Sequence, residues 1–321
     1  MKALVTGATG FIGSYLVEEL LKRDYKVTCL VRKTSSLKWL EGLDINLAYG
    51  DCIEKQSLLN AVVGFDYVFH LAGLTKARNE KDFFAVNAAG TENLINAVTE
   101  KNPGIKRFIH LSSLAAAGPS RNLSPVTETA EPKPVSEYGK SKLEGERIVL
   151  RYRSRIPLTI IRPPAVYGPR DKDMFTLFKM LKKGIFLWWG KCYYSLLYVD
   201  DLVRGIIISA ESKAAEGEIY YMADGNVYSN KDIAAAISFA LNARPVRVRI
   251  PKMIMPLFAN IGQRLSNKSN IINRDKIREL QHPYWICDPA KSKEKLGFIP
   301  KIGIKEGMKW TADWYRIHQW L

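Results

Sequence analysis

Tyr138 and Lys142 stand four residues apart in the run Tyr138-Gly139-Lys140-Ser141-Lys142. On a helix that spacing puts a phenol and an ammonium on one face. Such a pair suits proton transfer at a carbinol carbon. A free phenol has a pKa of about 10, too high for a good base at neutral pH, and a nearby cation stabilises the phenolate and lowers that value. Ser113 follows a short apolar run and offers a hydroxyl that could hold a substrate oxygen beside the phenol. Ser112-Ser113 also reads as a helix or turn cap. Tyr and Lys at this spacing occur by chance on many helices, so their weight comes from a second feature far upstream.

That feature is Thr6-Gly7-Ala8-Thr9-Gly10-Phe11-Ile12-Gly13, with the spacing GxxGxxG. It follows an apolar run, Ala3 to Thr6, and opens a helical pattern from Phe11 to Arg23. Gly7 permits a tight turn, Gly10 removes a side chain where a pyrophosphate would lie, and Gly13 lets helix pack on strand. Thr9, Phe11 and Ile12 belong to the same turn, and the free N–H groups of the helix start would face the phosphates of a dinucleotide. An acid at the end of the second strand, about 20 residues on, would bind the ribose 2′-hydroxyl of NAD. Here the residues are Val31-Arg32-Lys33-Thr34-Ser35, with no acid. Arg32 and Lys33 could pair with a 2′-phosphate instead, or be plain surface cations; the pattern favours NADP(H) and leaves NAD(H) open. Asp51, next to Cys52, is placed to accept from an adenine amine or to cap a helix beginning near Glu54.

With 321 residues the chain can bury a large core, and 47% hydrophobic with 25% charged residues is ordinary for a globular protein. The four cysteines, Cys29, Cys52, Cys192 and Cys287, form no CxxC pair, so neither a metal site nor a disulfide framework is suggested and a reducing cytoplasm fits. The net charge of +16 reads as a solvated basic surface or as attraction to anionic partners, whether a phosphate-bearing cofactor, an acidic substrate or a membrane surface. Basic residues are spread along the chain and no nucleic-acid module is visible. Three glycines and then Glu18, Glu19, Lys22 and Arg23 interrupt the apolar N-terminus. No stretch approaches the roughly 18 apolar residues of a membrane span, so a soluble protein is expected, with peripheral membrane contact left open.

The elements that must position these residues alternate. Short apolar runs at Ala3 to Thr6, Lys26 to Val31, Leu47 to Tyr49, Tyr67 to Leu71, Phe108 to Leu111 and Leu158 to Arg162 read as strands buried on both faces. Helical patterns lie between them, notably Asp82 to Lys101. The fold class is therefore α/β, a doubly wound parallel sheet of Rossmann type. Pro163-Pro164 stops the sixth run. Leu196 to Val199, followed by Asp201 to Ser209, reads as one more strand and helix returning to the sheet. The dinucleotide-binding domain is expected over 1–169 with 195–210 returning to it, and a smaller, discontinuous C-terminal substrate lobe over 170–194 and 211–321.

Several motifs in order resemble the extended short-chain dehydrogenase/reductase family, in its epimerase/dehydratase group: TGATGFIG (6–13), HLAG (70–73), NAAGT (87–91), HLSSLAAAG (110–118), YGKSK (138–142), RPPAVYGP (162–169) and YVDDL (198–202). The resemblance covers nearly the whole chain. It implies Ser113, Tyr138 and Lys142 as the catalytic trio, with Lys142 also on the nicotinamide ribose. Leu71, Ala72 and Gly73 would border the cofactor, Asn87 would support the sheet end there, and Pro163 would lie beside the nicotinamide. It implies that Asp200 and Asp201 tie the lobes together, and a homodimer through helices near 87–101 and 138–152. Sugar dehydratases of this group follow the catalytic hydroxyl residue with an Asp-Glu pair. Leu114-Ala115 stands here, which argues against that elimination, and the missing acid after the second strand departs from the NAD-retaining sugar epimerases.

The C-terminal half is similar to the steroid-dehydrogenase-like and dihydroflavonol-reductase-like branch. The apolar 250–266 stretch, with Met253, Ile254, Leu257 and Phe258, reads as a core helix, a lid or a lipid contact; Phe186-Leu187-Trp188-Trp189 reads as pocket lining or filler. The leading expectation is an enzyme that interconverts a ketone and a secondary alcohol on a bulky small molecule, lipid-like or nucleotide-linked. A nucleotide-sugar epimerase with tightly held NAD and a non-catalytic dinucleotide-binding sensor or assembly factor are the alternatives. No metal is expected.

Overall fold

The computed structural model describes residues 1–77, 79–251 and 274–321. Six parallel strands, β1 (Lys2–Thr6), β2 (Lys26–Val31), β3 (Asn46–Tyr49), β4 (Tyr67–His70), β5 (Arg107–Leu111) and β6 (Leu158–Arg162), are joined by a seventh, Glu218–Tyr221, in the spatial order Glu218–Tyr221, β6, β5, β4, β1, β2, β3. The order reverses between β1 and β4, where Thr6 pairs with His70. Chains leaving those two strands diverge to opposite sides and open a crevice at their carboxyl ends.

The near-continuous apolar runs follow from burial on both faces. Ala3 and Val5 point to one layer, with Leu16, Val17 and Leu20 of the helix Phe11–Lys22 and Leu202, Ile206 and Ile207 of the helix Val199–Glu211. Leu4, Val68 and Phe108 point to the other, with Leu94 and Val98 of the helix Gly90–Lys101 and Ile148 and Val149 of the helix Glu137–Leu150. The long helical pattern after Asp82 is three consecutive pieces: a helix Glu80–Phe84, a π turn Ala85–Ala89 and the helix Gly90–Lys101.

The return to the sheet differs from the sequence reading. Leu196–Tyr198 pairs with Ala165–Tyr167 in a separate two-stranded ladder, and Glu218–Tyr221, from the stretch assigned to the lobe, takes the edge beside β6. Pro163-Pro164 ends the β6 ladder, so the chain beyond it leaves the sheet and carries its own partner strand along. Gly217, at a φ of 71°, turns the chain back and donates its N–H to Leu158 O at 2.7 Å. Only the helix Val199–Glu211 of the expected pair lies on the sheet.

The lobe has its own core, with Tyr167, Phe178, Tyr198 and Tyr315 packed with Met308. The Trp-rich run is mostly a strand, Ile185–Trp188, paired in parallel with Val246–Arg249; Phe186 packs against the lobe core, while Lys231 and Arg247 lie over the Trp188 ring. Asp201, fully buried, accepts from the backbone N–H groups of Lys301 and Ile302 and so fastens the sheet-covering helix to the C-terminal segment. Beyond Pro251, the apolar 250–266 stretch lies outside the described residues. Among the described residues no helix is long and apolar enough to cross a membrane, and the four cysteines are buried and form no disulfide with one another.

Candidate active site

At the switch point the glycine turn is tight for steric reasons. Gly7 has a φ of 71°, and a Cβ there would lie 2.7 Å from Ala72 N. A Cβ on Gly13 would lie 2.1 Å from Gly7 O, so the helix can sit this close to the turn only without a side chain. Gly10 is the N-cap of the helix Phe11–Lys22, with no side-chain cap and no acid in the first turn. Its leading N–H groups are therefore free to meet an anion, with the helix dipole in support. Phe11 and Ile12 pack toward the lobe core, and Thr9 stays at the half-exposed rim of the turn.

The opposite wall is built by side-chain hydrogen bonds. Ala72 N donates to Thr6 Oγ1 at 3.1 Å, Thr6 Oγ1 and His70 Nδ1 share a bond of 2.8 Å, and His70 Nε2 and Thr91 Oγ1 share one of 2.9 Å. Burial pushes His70 down to about 3, so its ring serves as a neutral bridge. In the π turn, Asn87 Oδ1 accepts from Leu74 N at 2.8 Å, and Asn87 Nδ2 donates to Leu74 O and to Ser141 Oγ. That single amide ties the Leu71-Ala72-Gly73 segment to the helix bearing Tyr138. A Cβ on Gly73 would sit 3.0 Å from Asn87 Oδ1 and 3.8 Å from Lys142 Nζ.

Arg32 and Lys33, at the end of β2, are exposed, and neither has an ion-pair partner among the described residues. Asp51 Oδ1 accepts from Ile53 N at 3.2 Å in a local turn, so it does not cap the short helix Lys55–Leu58. Cys52 is buried; its carbonyl accepts from Asn93 Nδ2, and its thiol is pushed up to about 12 and kept unreactive.

The trio converges. Ser136 caps the helix Glu137–Leu150, and Gly139 lies so close to the segment after Ser113 that a Cβ would meet Ala115 O at 2.3 Å. This approach brings the phenol of Tyr138 near enough to the Ser113 hydroxyl for that group to ease the rise in its pKa. Ser113 Oγ also accepts from Ala115 N at 3.1 Å, so the cap and the phenol contact coexist. Leu114 N donates to Pro163 O at 2.8 Å, which holds Pro163 against the same turn. Lys142, 4% exposed, donates from Nζ to Leu111 O at 2.7 Å.

The proton affinities depart from the expectation of a lowered phenol. Tyr138 is pushed up to about 12, first by burial, against which the Ser113 bond works, with the carboxylates of Glu279 and Asp173 adding to the rise. Lys142 falls to about 8 by burial, opposed by the charge of Glu146. The ammonium is committed to Leu111 O and is not among the groups that act on the phenol. Tyr138 is thus kept protonated in the free protein.

Three acidic neighbours of the site escaped the sequence reading. Glu146, one further helical turn along the stripe of Tyr138 and Lys142, is 1% exposed, forms a two-pronged pair with Arg162 at 2.6 and 2.9 Å and accepts from Ser112. The i, i+4, i+8 spacing of 138, 142 and 146 was the available signal. Asp275 and Glu279 reach the same helix from far along the chain, and nothing local marks them.

A sequence profile of the NAD dependent epimerase/dehydratase family matches residues 3–223. The chain belongs to this family. Among its relatives, ceramide reductase of Caulobacter vibrioides is 28% identical over 99% of this chain and 95% of its own length. UDP-glucose 4-epimerase of Vibrio cholerae is 32% identical over 97% and 94%. The UDP-glucose 4-epimerase of Thermus thermophilus, solved in complex with NAD, superposes with a TM-score of 0.81 at 23% identity, over 98% of this chain and 99% of that one. The protein is an enzyme of the extended short-chain dehydrogenase/reductase type, a nicotinamide-dependent oxidoreductase or epimerase. The residues fit such a cofactor: the glycine turn with its uncapped helix start and the Gly73 edge leave room and donors for a dinucleotide. Leu114 and Ala115 are buried apolar residues, so no acid stands directly after Ser113.

Proposed function

We propose that this enzyme is an NADP(H)-dependent carbonyl reductase, or secondary alcohol dehydrogenase in reverse, acting on a bulky, lipid-like small molecule. The observation that carries the reading is the phenol of Tyr138, near Ser113 and kept protonated by burial, in a chain whose glycine turn is built for a dinucleotide. The bound nicotinamide supplies the hydride equivalent. Ser113 holds the carbonyl oxygen, and Tyr138 donates its phenolic proton to that oxygen as charge develops on it. Lys142, with Asn87 behind it, lies beside the Gly73 edge and fixes the ribose. Gly7, Gly10 and Gly13 cradle the pyrophosphate, and the lobe surrounds the rest of the substrate.

The absence of an acid at the end of β2, with exposed Arg32 and Lys33 in its place, supports a 2′-phosphate there and hence NADP(H). Similarity over nearly the full length to a ceramide reductase supports a lipid-like carbonyl substrate. The higher identity to a UDP-glucose 4-epimerase favours a second reading, in which the same trio oxidises and re-reduces a nucleotide sugar around a retained NAD. Denaturing the purified protein and identifying what it releases separates the two. Stoichiometric NAD supports the epimerase, and an empty site that binds NADPH at least tenfold more tightly than NADH supports the reductase. Tyr138→Phe should abolish turnover with cofactor affinity intact; retained turnover refutes the assignment of the phenol.

A further inference from the structure

The two helix starts that face the crevice are treated oppositely. Gly10 leaves the amides of the helix Phe11–Lys22 open. The helix bearing Tyr138 has its first three amides occupied. Asp275 accepts from Glu137 N at 2.7 Å through Oδ1 and from Tyr138 N at 2.9 Å through Oδ2. Gly139 N donates to Ser136 Oγ at 3.0 Å, and Ser136 Oγ donates to Glu279 Oε1 at 2.9 Å. Both carboxylates come from one short helix, Arg274–Leu280, in the other lobe. That helix is itself pinned: Trp285 Nε1 donates to Glu279 O at 2.9 Å, and Arg278 Nη1 lies 3.4 Å from Glu137 Oε1.

We propose that Asp275 and Glu279 are positioning residues of the site, a latch from the substrate lobe that seats the amino end of the catalytic helix and holds the Tyr138 hydroxyl as a proton donor. The proposal rests on the role given to Tyr138 above. A helix start carries positive partial charge that would favour a phenolate one residue inside it; the two carboxylates offset that field, each partly balanced by a neighbouring cation, Lys276 beside Glu279 and Arg278 beside Asp275. The other groups around the phenol do not reverse this. Asp173 is paired with Lys76, Lys276 with Glu279, and Arg278 is shared among Glu80, Glu137 and Asp275. Lys142, on the same helix, is bonded to Leu111 O, and Ser113 is neutral. Phe83 closes the remaining side, its ring centroid 6.0 Å from that of Tyr138. The latch therefore poises the enzyme for carbonyl reduction and couples the state of the lobe to the proton on the phenol.

Two measurements on the whole protein, neither needing a substrate, test this. Amide hydrogen exchange at Glu137 and Tyr138 should accelerate at least tenfold in Asp275→Ala, and less in Asp275→Asn, which keeps one acceptor. Unchanged exchange would overturn the seating role. Tyrosinate absorbance, taken at one alkaline pH as the difference between each protein and its Tyr138→Phe partner, should show roughly threefold more phenolate in Glu279→Gln than in the parent, the effect of losing one charge near a helix start. The isosteric Gln keeps an acceptor for Ser136, so the fold is retained while the charge goes. Equal or smaller phenolate would overturn the electrostatic role. Carbonyl reduction with NADPH decides the functional assignment separately: a latch that passes both tests in a protein that reduces no ketone leaves the latch standing and refutes the reductase.

Discussion

Replacing Lys142 by Met should make the protein more stable at neutral pH and catalytically dead. The ammonium is nearly fully buried, and burial brings its pKa from the usual 10.5 to about 8, with Glu146 opposing. Each tenfold loss of proton affinity costs about 1.4 kcal/mol, so carrying the charge in the folded state costs roughly 3 kcal/mol below pH 8. The sign follows from proton binding. Between about 8 and 10.5 the unfolded chain holds the proton and the folded chain does not, so this residue's contribution to stability rises with pH across that window and is most unfavourable below it. Met keeps the stem volume and removes the charge. It also strips Leu111 O of its 2.7 Å bond, a loss of about 1 kcal/mol. The net expectation at neutral pH is a gain of about 2 kcal/mol, or about 3 °C in Tm for a chain of this length. Paired thermal and urea melts of wild type and Lys142→Met, from neutral pH to above 10.5, measure it. The advantage of the variant should shrink and disappear as pH rises. A Met variant less stable than wild type at neutral pH, or one whose difference from wild type is flat across the window, would falsify the claim that the site holds a buried, strained cation.

Glu146→Gln should lower stability by about 3–5 kcal/mol, because it leaves the Arg162 guanidinium buried against an amide, whereas changing both partners to Met should cost much less; melting curves with a drop under about 1 kcal/mol for the single variant contradict the pairing. Gly13→Ala must displace the turn, since its Cβ would lie 2.1 Å from Gly7 O, and should weaken NADPH binding at least tenfold by calorimetry while costing about 1–3 kcal/mol of stability. Arg32→Ala with Lys33→Ala should erode NADPH affinity and leave NADH affinity nearly unchanged; equal losses for both would remove the 2′-phosphate role.

Much of the scaffold was legible because it is written in local periodicity. Runs such as Tyr67–His70 and Leu158–Arg162 are apolar throughout since both faces are covered, and the glycine turn announces itself because Gly7 and Gly13 have no steric alternative. Tyr138 and Lys142 stood out by helical spacing and gained weight from the glycine turn and the ordered motifs around them. The return strand was misplaced because Leu196–Tyr198 and Glu218–Tyr221 are both short apolar runs, and only the proline break after β6 decides which pairs with the sheet. The domain limits erred with it, since residues 218–221 sit in the sheet.

By itself the sequence determined the parallel sheet and the glycine turn, since each depends on residues close together in the chain; it nominated Ser113, Tyr138 and Lys142 through the order of motifs along the whole chain. Tertiary structure alone decided the surroundings that shift Tyr138 up and Lys142 down. Desolvation of Tyr138, the commitment of Lys142 to Leu111 O, the Glu146–Arg162 pair and the arrival of Asp275 and Glu279 all depend on which distant segments meet. Electrostatic fields in a protein act through space at a few ångströms, and chain distance carries no record of them.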